Sequence, residues 1–167
     1  MHHPRRHIIA SAMVAEASKF PQVYDLRSFR SVDAVGARVG LARKAIAEQF
    51  AREAAPLGLN VQQALVIIMV GEGRGDTAAG LCRALSHDAG AMTRIVDKLE
   101  SMDLVRRVRG PHDRRSARLE LTKAGRAMYL EVMRVQVDVL NRMLRGFTRG
   151  EVRTLERLLL RIMENGA

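Results

Sequence analysis

Residues 77–102 read TAAGLCRALSHDAGAMTRIVDKLESM, and the way this stretch divides decides the fold. A short helical segment, AAGLCRAL, is interrupted by SHD, after which a longer helical pattern runs on to Met102. Thr77 precedes the first segment as an N-cap, because its hydroxyl can accept a backbone N–H that the first turn leaves unpaired. Two short helices joined by a three- or four-residue turn make a helix-turn-helix. In the second helix Met92, Ile95, Val96, Leu99 and Met102 share one face, the one expected to pack on the body. Gly90, Thr93, Arg94, Asp97 and Ser101 lie opposite, with Ala91 and Lys98 at the flanks.

That outer face suits a reader of the major groove. Small residues at its start let the backbone approach base edges. A guanidinium such as that of Arg94 can take guanine O6 and N7 together, and Thr93 can donate a hydrogen bond or touch a thymine methyl.

Immediately downstream, residues 105–122 read VRRVRGPHDRRSARLELT. Six arginines crowd here (Arg106, Arg107, Arg109, Arg114, Arg115 and Arg118), and within the stretch only Asp113 and Glu120 offset them. Gly110 and Pro111 mark a chain reversal. Ala117, Leu119 and Leu121 alternate inward while Arg118 points out, as in the second strand of a β-hairpin. A hairpin directly after the second helix is the order of a winged helix. Its arginines would reach along a duplex toward the minor groove, where a narrow groove concentrates negative potential. Asp113, two residues before Arg115, can pair with a neighbouring Arg or accept backbone N–H groups and so hold the tip in shape.

The flanks read as helices. Val32, Val35, Val39, Ala42, Ile46 and Phe50 recur at helical steps and are closed by Pro56 and Gly58. Asn60 with Gln63 forms a variant capping box before the nearly all-apolar VQQALVIIMV, which should be central and buried. After the hairpin a long helix carries Met128, Val132, Val135, Val139, Met143 and Phe147. Thr148 and Glu151 form a second capping box, opening a last helix with Val152, Leu155, Leu158, Leu159 and Ile162. Residues 1–30 hold one more helical pattern (Ile8, Ile9, Ala12, Met13, Ala17) that Pro21 ends. The expected fold is mainly α with a small β-hairpin. A winged helix-turn-helix lobe spans 57–122, a helical dimerisation region spans 31–56 and 123–167, and 1–30 is an N-terminal extension. The apolar surfaces of the first and last of these helices are hard to bury within a chain this thin, so a homodimer is expected.

Composition agrees. The chain has 167 residues, 4% aromatics, a formal net charge of +10 and a pI near 11.1, a balance that points to a polyanionic partner. No stretch approaches a membrane span, and the N-terminal apolar run is too short and too interrupted by Glu16 for a signal peptide, so a cytoplasmic protein without a membrane role is expected. Cys82, the single cysteine, reads as a small buried hydrophobe. Neither His87–Asp88 nor His112–Asp113 has a ligand spacing, and His2, His3 and His7 have no enforced geometry, so no metal and no cofactor are expected. GEGRG lacks the Lys-Ser/Thr of a phosphate loop and there is no nucleophile–base set, which argues against an enzyme.

LSHDAGAMTRIVDKLESMDLVRRV followed by PHDRRSARLELTKAG resembles the MarR family of bacterial winged-helix transcriptional regulators, over roughly residues 31–164. Asp-Arg-Arg at 113–115 and Leu-Thr-Lys-Ala-Gly at 121–125 carry the likeness most clearly. The resemblance implies a recognition helix over 88–98, Arg115 as the minor-groove arginine ordered by Asp113, and a dimer built from the first and last two helices. The resulting candidate DNA-binding set is Ser86, His87, Asp88, Gly90, Ala91, Thr93, Arg94, Lys98, Arg109, His112, Asp113, Arg114 and Arg115. It also implies double-stranded DNA with a palindromic operator as partner, and release by a small aromatic or phenolic effector, with Met69, Met128, Tyr129 and Met133 as weak candidates for its lining, the first reading of each being core packing. The alternative is an architectural protein that binds DNA without sequence preference.

Overall fold

A computed structural model describes residues 22–85, 87–109 and 117–166, with Arg109 described through its backbone alone. The expected helix around Ile8–Ala17, together with Ser86, His112, Asp113, Arg114 and Arg115, lies outside the described residues. Packing divides the chain into two compact units at Leu41/Ala42.

A 3-10 turn, Ser31–Asp33, leads into helix α1, Val35–Ala54, of which the residues up to Leu41 belong to the N-terminal unit. The Tyr24 hydroxyl accepts the Val35 backbone N–H at 3.0 Å, and its ring meets Phe29 edge-on with centroids 5.3 Å apart. Val23, Leu26, Val32 and Leu41 are exposed.

The larger unit holds the core. A 3-10 turn at Ala55–Leu57 stops at Gly58, whose left-handed φ of +73° suits a residue without a Cβ. Helix α2, Val61–Gly71, opens with the expected capping box: Asn60 Oδ1 accepts from Gln63 N and Gln63 Oε1 accepts from Asn60 N, each at 2.9 Å. As its apolar sequence requires, α2 is central, with Ala64, Val66 and Ile67 fully buried. Helices α3 (Ala78–Leu85) and α4 (Ala89–Ser101) pack against each other and contribute Leu81, Met92, Val96 and Leu99 to the same core. Each of these large side chains stabilises the fold by about 1.5–3 kcal/mol relative to exposure.

Strands β1 (Val105–Arg109) and β2 (Ala117–Leu121) pair antiparallel, Val105 opposite Leu121 and Arg109 opposite Ala117. Leu119 and Leu121 are buried and Arg118 and Glu120 exposed, the expected alternation. Helix α5, Lys123–Met143, is capped by Thr122, whose Oγ1 accepts from Gly125 N at 2.9 Å. A Cβ on Gly125 would lie 1.8 Å from the Leu104 carbonyl oxygen, so only glycine lets α5 start this close to the root of the hairpin.

The apolar series of the long helix breaks earlier than its spacing suggests. The helix ends at Met143, Gly146 turns left-handed with φ +90°, and Phe147 stands half exposed in the connection. Helix α6, Arg149–Asn165, has the expected Thr148–Glu151 capping box and buries no residue in the single chain; Leu155, Leu158 and Ile162 are exposed. Among the described residues no single helix is long and apolar enough to cross a membrane.

Candidate nucleic-acid interface

Helix α4 is held at its N-terminus by Asp88, whose Oδ1 accepts the Ala91 N–H at 2.8 Å. That hydrogen bond, with a further one from Gly90, holds the Asp88 carboxyl below the usual carboxylate range. Met92, Val96 and Leu99 are fully buried and Ile95 and Met102 half-buried, so the helix cannot rotate without opening the core. Its other face is thereby fixed outward: Gly90, Thr93, Arg94, Asp97, Lys98 and Ser101 are all exposed, and Ala91 is half-buried at the flank.

Besides Asp88, the candidate contacts Thr93 and His87 have partners within the protein. The Thr93 hydroxyl donates to the Ala89 carbonyl at 2.8 Å, which leaves its oxygen as an acceptor and its methyl group for apolar contact. His87 is half-buried, with Nε2 2.7 Å from Gln62 Oε1 and its backbone N–H on the Cys82 carbonyl, so it ties the turn to α2. Cys82 itself is half-buried against the core.

The arginines of the hairpin have more acidic company than their own stretch provides. Arg106 Nη2 lies 2.7 Å from Glu120 Oε2, directly across the two strands. Arg107 reaches Asp97 Oδ1 at 2.6 Å and also pairs with Glu100, both on α4. Arg118 Nη2 lies 2.8 Å from Asp76 Oδ2, in the loop before α3. Asp76 is held below the carboxylate range chiefly by this bond, and Arg118 is raised by it. Arg106 thus ties the two strands to each other, and Arg107 and Arg118 stitch the hairpin to the helix-turn-helix. Asp76, Glu100 and Gln62 belong to no motif in the sequence, and Asp97 stands there without its partner. The only local signal was the acid pair at 97 and 100, one turn apart at the end of the helix that leads into β1.

The candidate effector residues Met69, Met128, Tyr129 and Met133 are half-buried against the core, with the Tyr129 ring pressed on Gly71, where a Cβ would lie 2.5 Å from Cδ2. Beside Gly71 an open cleft of about 370 Å³ is lined by Val70, Asp76, Arg118, Leu121 and Arg126.

A helix-turn-helix followed by a two-stranded wing rooted on a helix N-terminus is the architecture the chain shares with solved proteins. A cysteine-to-serine mutant of MarR from Escherichia coli, in a crystal structure with operator DNA, superposes with a TM-score of 0.69 at 27% identity, covering 83% of this chain and 99% of that one. A MarR family protein of Mycobacterium tuberculosis in complex with salicylic acid has the same fold at 24% identity and a TM-score of 0.67, over 82% and 99% of the two chains. A sequence model of the MarR family matches residues 57–116. The multiple antibiotic resistance protein MarR of E. coli K12 is 31% identical over 109 residues, which span 65% of this chain and 76% of the relative. The chain belongs to the MarR family. It is therefore a DNA-binding transcriptional regulator and not an enzyme. Two parts of its MarR-like signature now have physical reasons: Thr122 caps α5, and Gly125 makes room for the Leu104 carbonyl.

Proposed function

We propose that this MarR family regulator acts as a homodimer on an imperfect palindrome in double-stranded DNA. The helices Val35–Ala54, Lys123–Met143 and Arg149–Asn165 form the dimerisation region, and the winged lobe of residues 57–122 meets the duplex. Each α4 enters a major groove with Gly90, Ala91, Thr93, Arg94 and Lys98, and the turn residues Ser86, His87 and Asp88 set its angle. Each wing, through Arg109, His112, Asp113, Arg114 and Arg115, follows the backbone to the minor groove. Two readers on a dyad meet grooves about 34 Å apart.

One observation carries this reading: burial of Met92, Val96 and Leu99 fixes α4 so that its small and cationic residues all face solvent together. The exposed apolar face of α6, with Leu155, Leu158 and Ile162, supports the dimer. The protein acts as a repressor, and a small aromatic or phenolic acid releases it by favouring a spacing of the two readers that DNA rejects. Met69, Met128, Tyr129 and Met133 border the region where such a ligand would lie.

Footprinting the purified protein on its own promoter region tests the proposal. A short protected site with dyad symmetry is expected. Uniform protection without a preferred site would favour the architectural alternative.

A further inference from the structure

Arg107 stands on β1 with its guanidinium directed at α4. Its Nη2 donates to Asp97 Oδ1 at 2.6 Å, its Nη1 to Glu100 Oε2, and its backbone N–H to Glu100 Oε1 at 3.1 Å. The side chain is 34% exposed. These three contacts clamp the first strand of the wing to the last turns of the helix that presents Thr93 and Arg94. Asp97 lies one turn beyond Arg94 on the same outward face, where an unbalanced carboxylate would repel the phosphates.

We infer that Arg107 is a positioning residue for base recognition: it fixes wing to recognition helix and neutralises Asp97, and it spends its charge inside the protein rather than on phosphate. The inference rests on the operator-reading function proposed above. A groove reader works only when its side chains are held within about 0.5 Å and 10–20° of the productive geometry. A planar fork gripped by two carboxylates supplies such a constraint, and a lysine ammonium supplies less of it. Partly exposed ion pairs contribute little to global stability, so the variants fold and the clamp shows itself in recognition.

The test compares the full-length protein with Arg107→Ala, Arg107→Lys and Glu100→Gln. The probes are the consensus duplex recovered from random-sequence selection and a scrambled duplex of equal length, each titrated across a salt series. For Arg107→Ala the preference for the consensus should fall about tenfold or more. The slope of log affinity against log salt should stay unchanged and the Tm should move by no more than about 4 °C. Glu100→Gln should move the preference in the same direction, and Arg107→Lys should keep part of it. A preserved preference with a slope shallower by about 0.9 per protomer would make Arg107 a phosphate contact and overturn the inference. So would Arg107→Ala binding indistinguishable from wild type. A wild-type protein that does not prefer the consensus would instead remove the operator-reading function itself.

Discussion

Arg118 and Asp76 are separated by 42 residues in the chain and by 2.8 Å in space. Beside this pair the Leu119 N–H donates to the Asp76 carbonyl at 2.7 Å, and Thr77 bridges Arg118. The second strand of the wing is therefore fastened to the entry of the helix-turn-helix by side chain and backbone together. Arg118→Ala should leave global stability nearly unchanged, because both partners are exposed. It should, however, speed amide hydrogen exchange at Leu119 by loosening the fastening. Unaltered exchange at Leu119 would show that the backbone bond holds the strand alone.

Gly125 permits the approach of α5 to the Leu104 carbonyl. Gly125→Ala should destabilise the fold by about 1–3 kcal/mol or more, since the atom in the way is backbone and cannot rotate aside. That is the reverse of the gain expected for Gly→Ala within an unobstructed helix. Urea unfolding of the variant against wild type measures it, and equal midpoints would refute the close approach.

Asp88, Asp76 and Glu151 all have carboxyls held below the usual range, by the Ala91 N–H, the Arg118 guanidinium and the Thr148 backbone N–H respectively. A depressed folded-state pKa contributes stability that is present above the unfolded value, about 4, and is lost as pH falls through the lower folded value. Thermal melts should accordingly be insensitive to pH from about 7 to 5 and should drop below about 4. Asp88→Asn keeps an N-cap that cannot titrate, and so should lose less in acid than wild type. Parallel acid losses in the two proteins would contradict the role of the Asp88 carboxylate.

Arg94 is exposed on the outer face of α4 in the first half of the helix. Arg94→Ala should cost about 1–3 kcal/mol of operator affinity and relax preference at one base pair in each half-site. Binding assays on operators varied one position at a time would show this. A uniform loss at every position would mark Arg94 as a backbone contact instead.

Much of this was legible in the sequence because local rules and burial agreed. The capping boxes at Asn60–Gln63 and Thr148–Glu151, the buried stripe of Met92, Val96 and Leu99, and the in–out alternation of Leu119 and Leu121 each follow from spacing alone. The electrostatic partners of the wing did not. Asp76 meets Arg118 only because the loop before α3 runs alongside β2, a proximity set by tertiary packing. Likewise, crowded arginines read as unbalanced charge until folding brings Asp97 and Glu100 to Arg107. The His87 ring in the turn is held by Gln62, 25 residues away, a pairing that no local spacing announces.

Selection of bound fragments from random duplex DNA by the purified protein, at about physiological ionic strength, tests the central claim most directly. The enriched sequences should converge on an imperfect palindrome whose half-sites lie about 10 base pairs apart, centre to centre. Recovery of fragments with no shared sequence, at any half-site spacing, would contradict it.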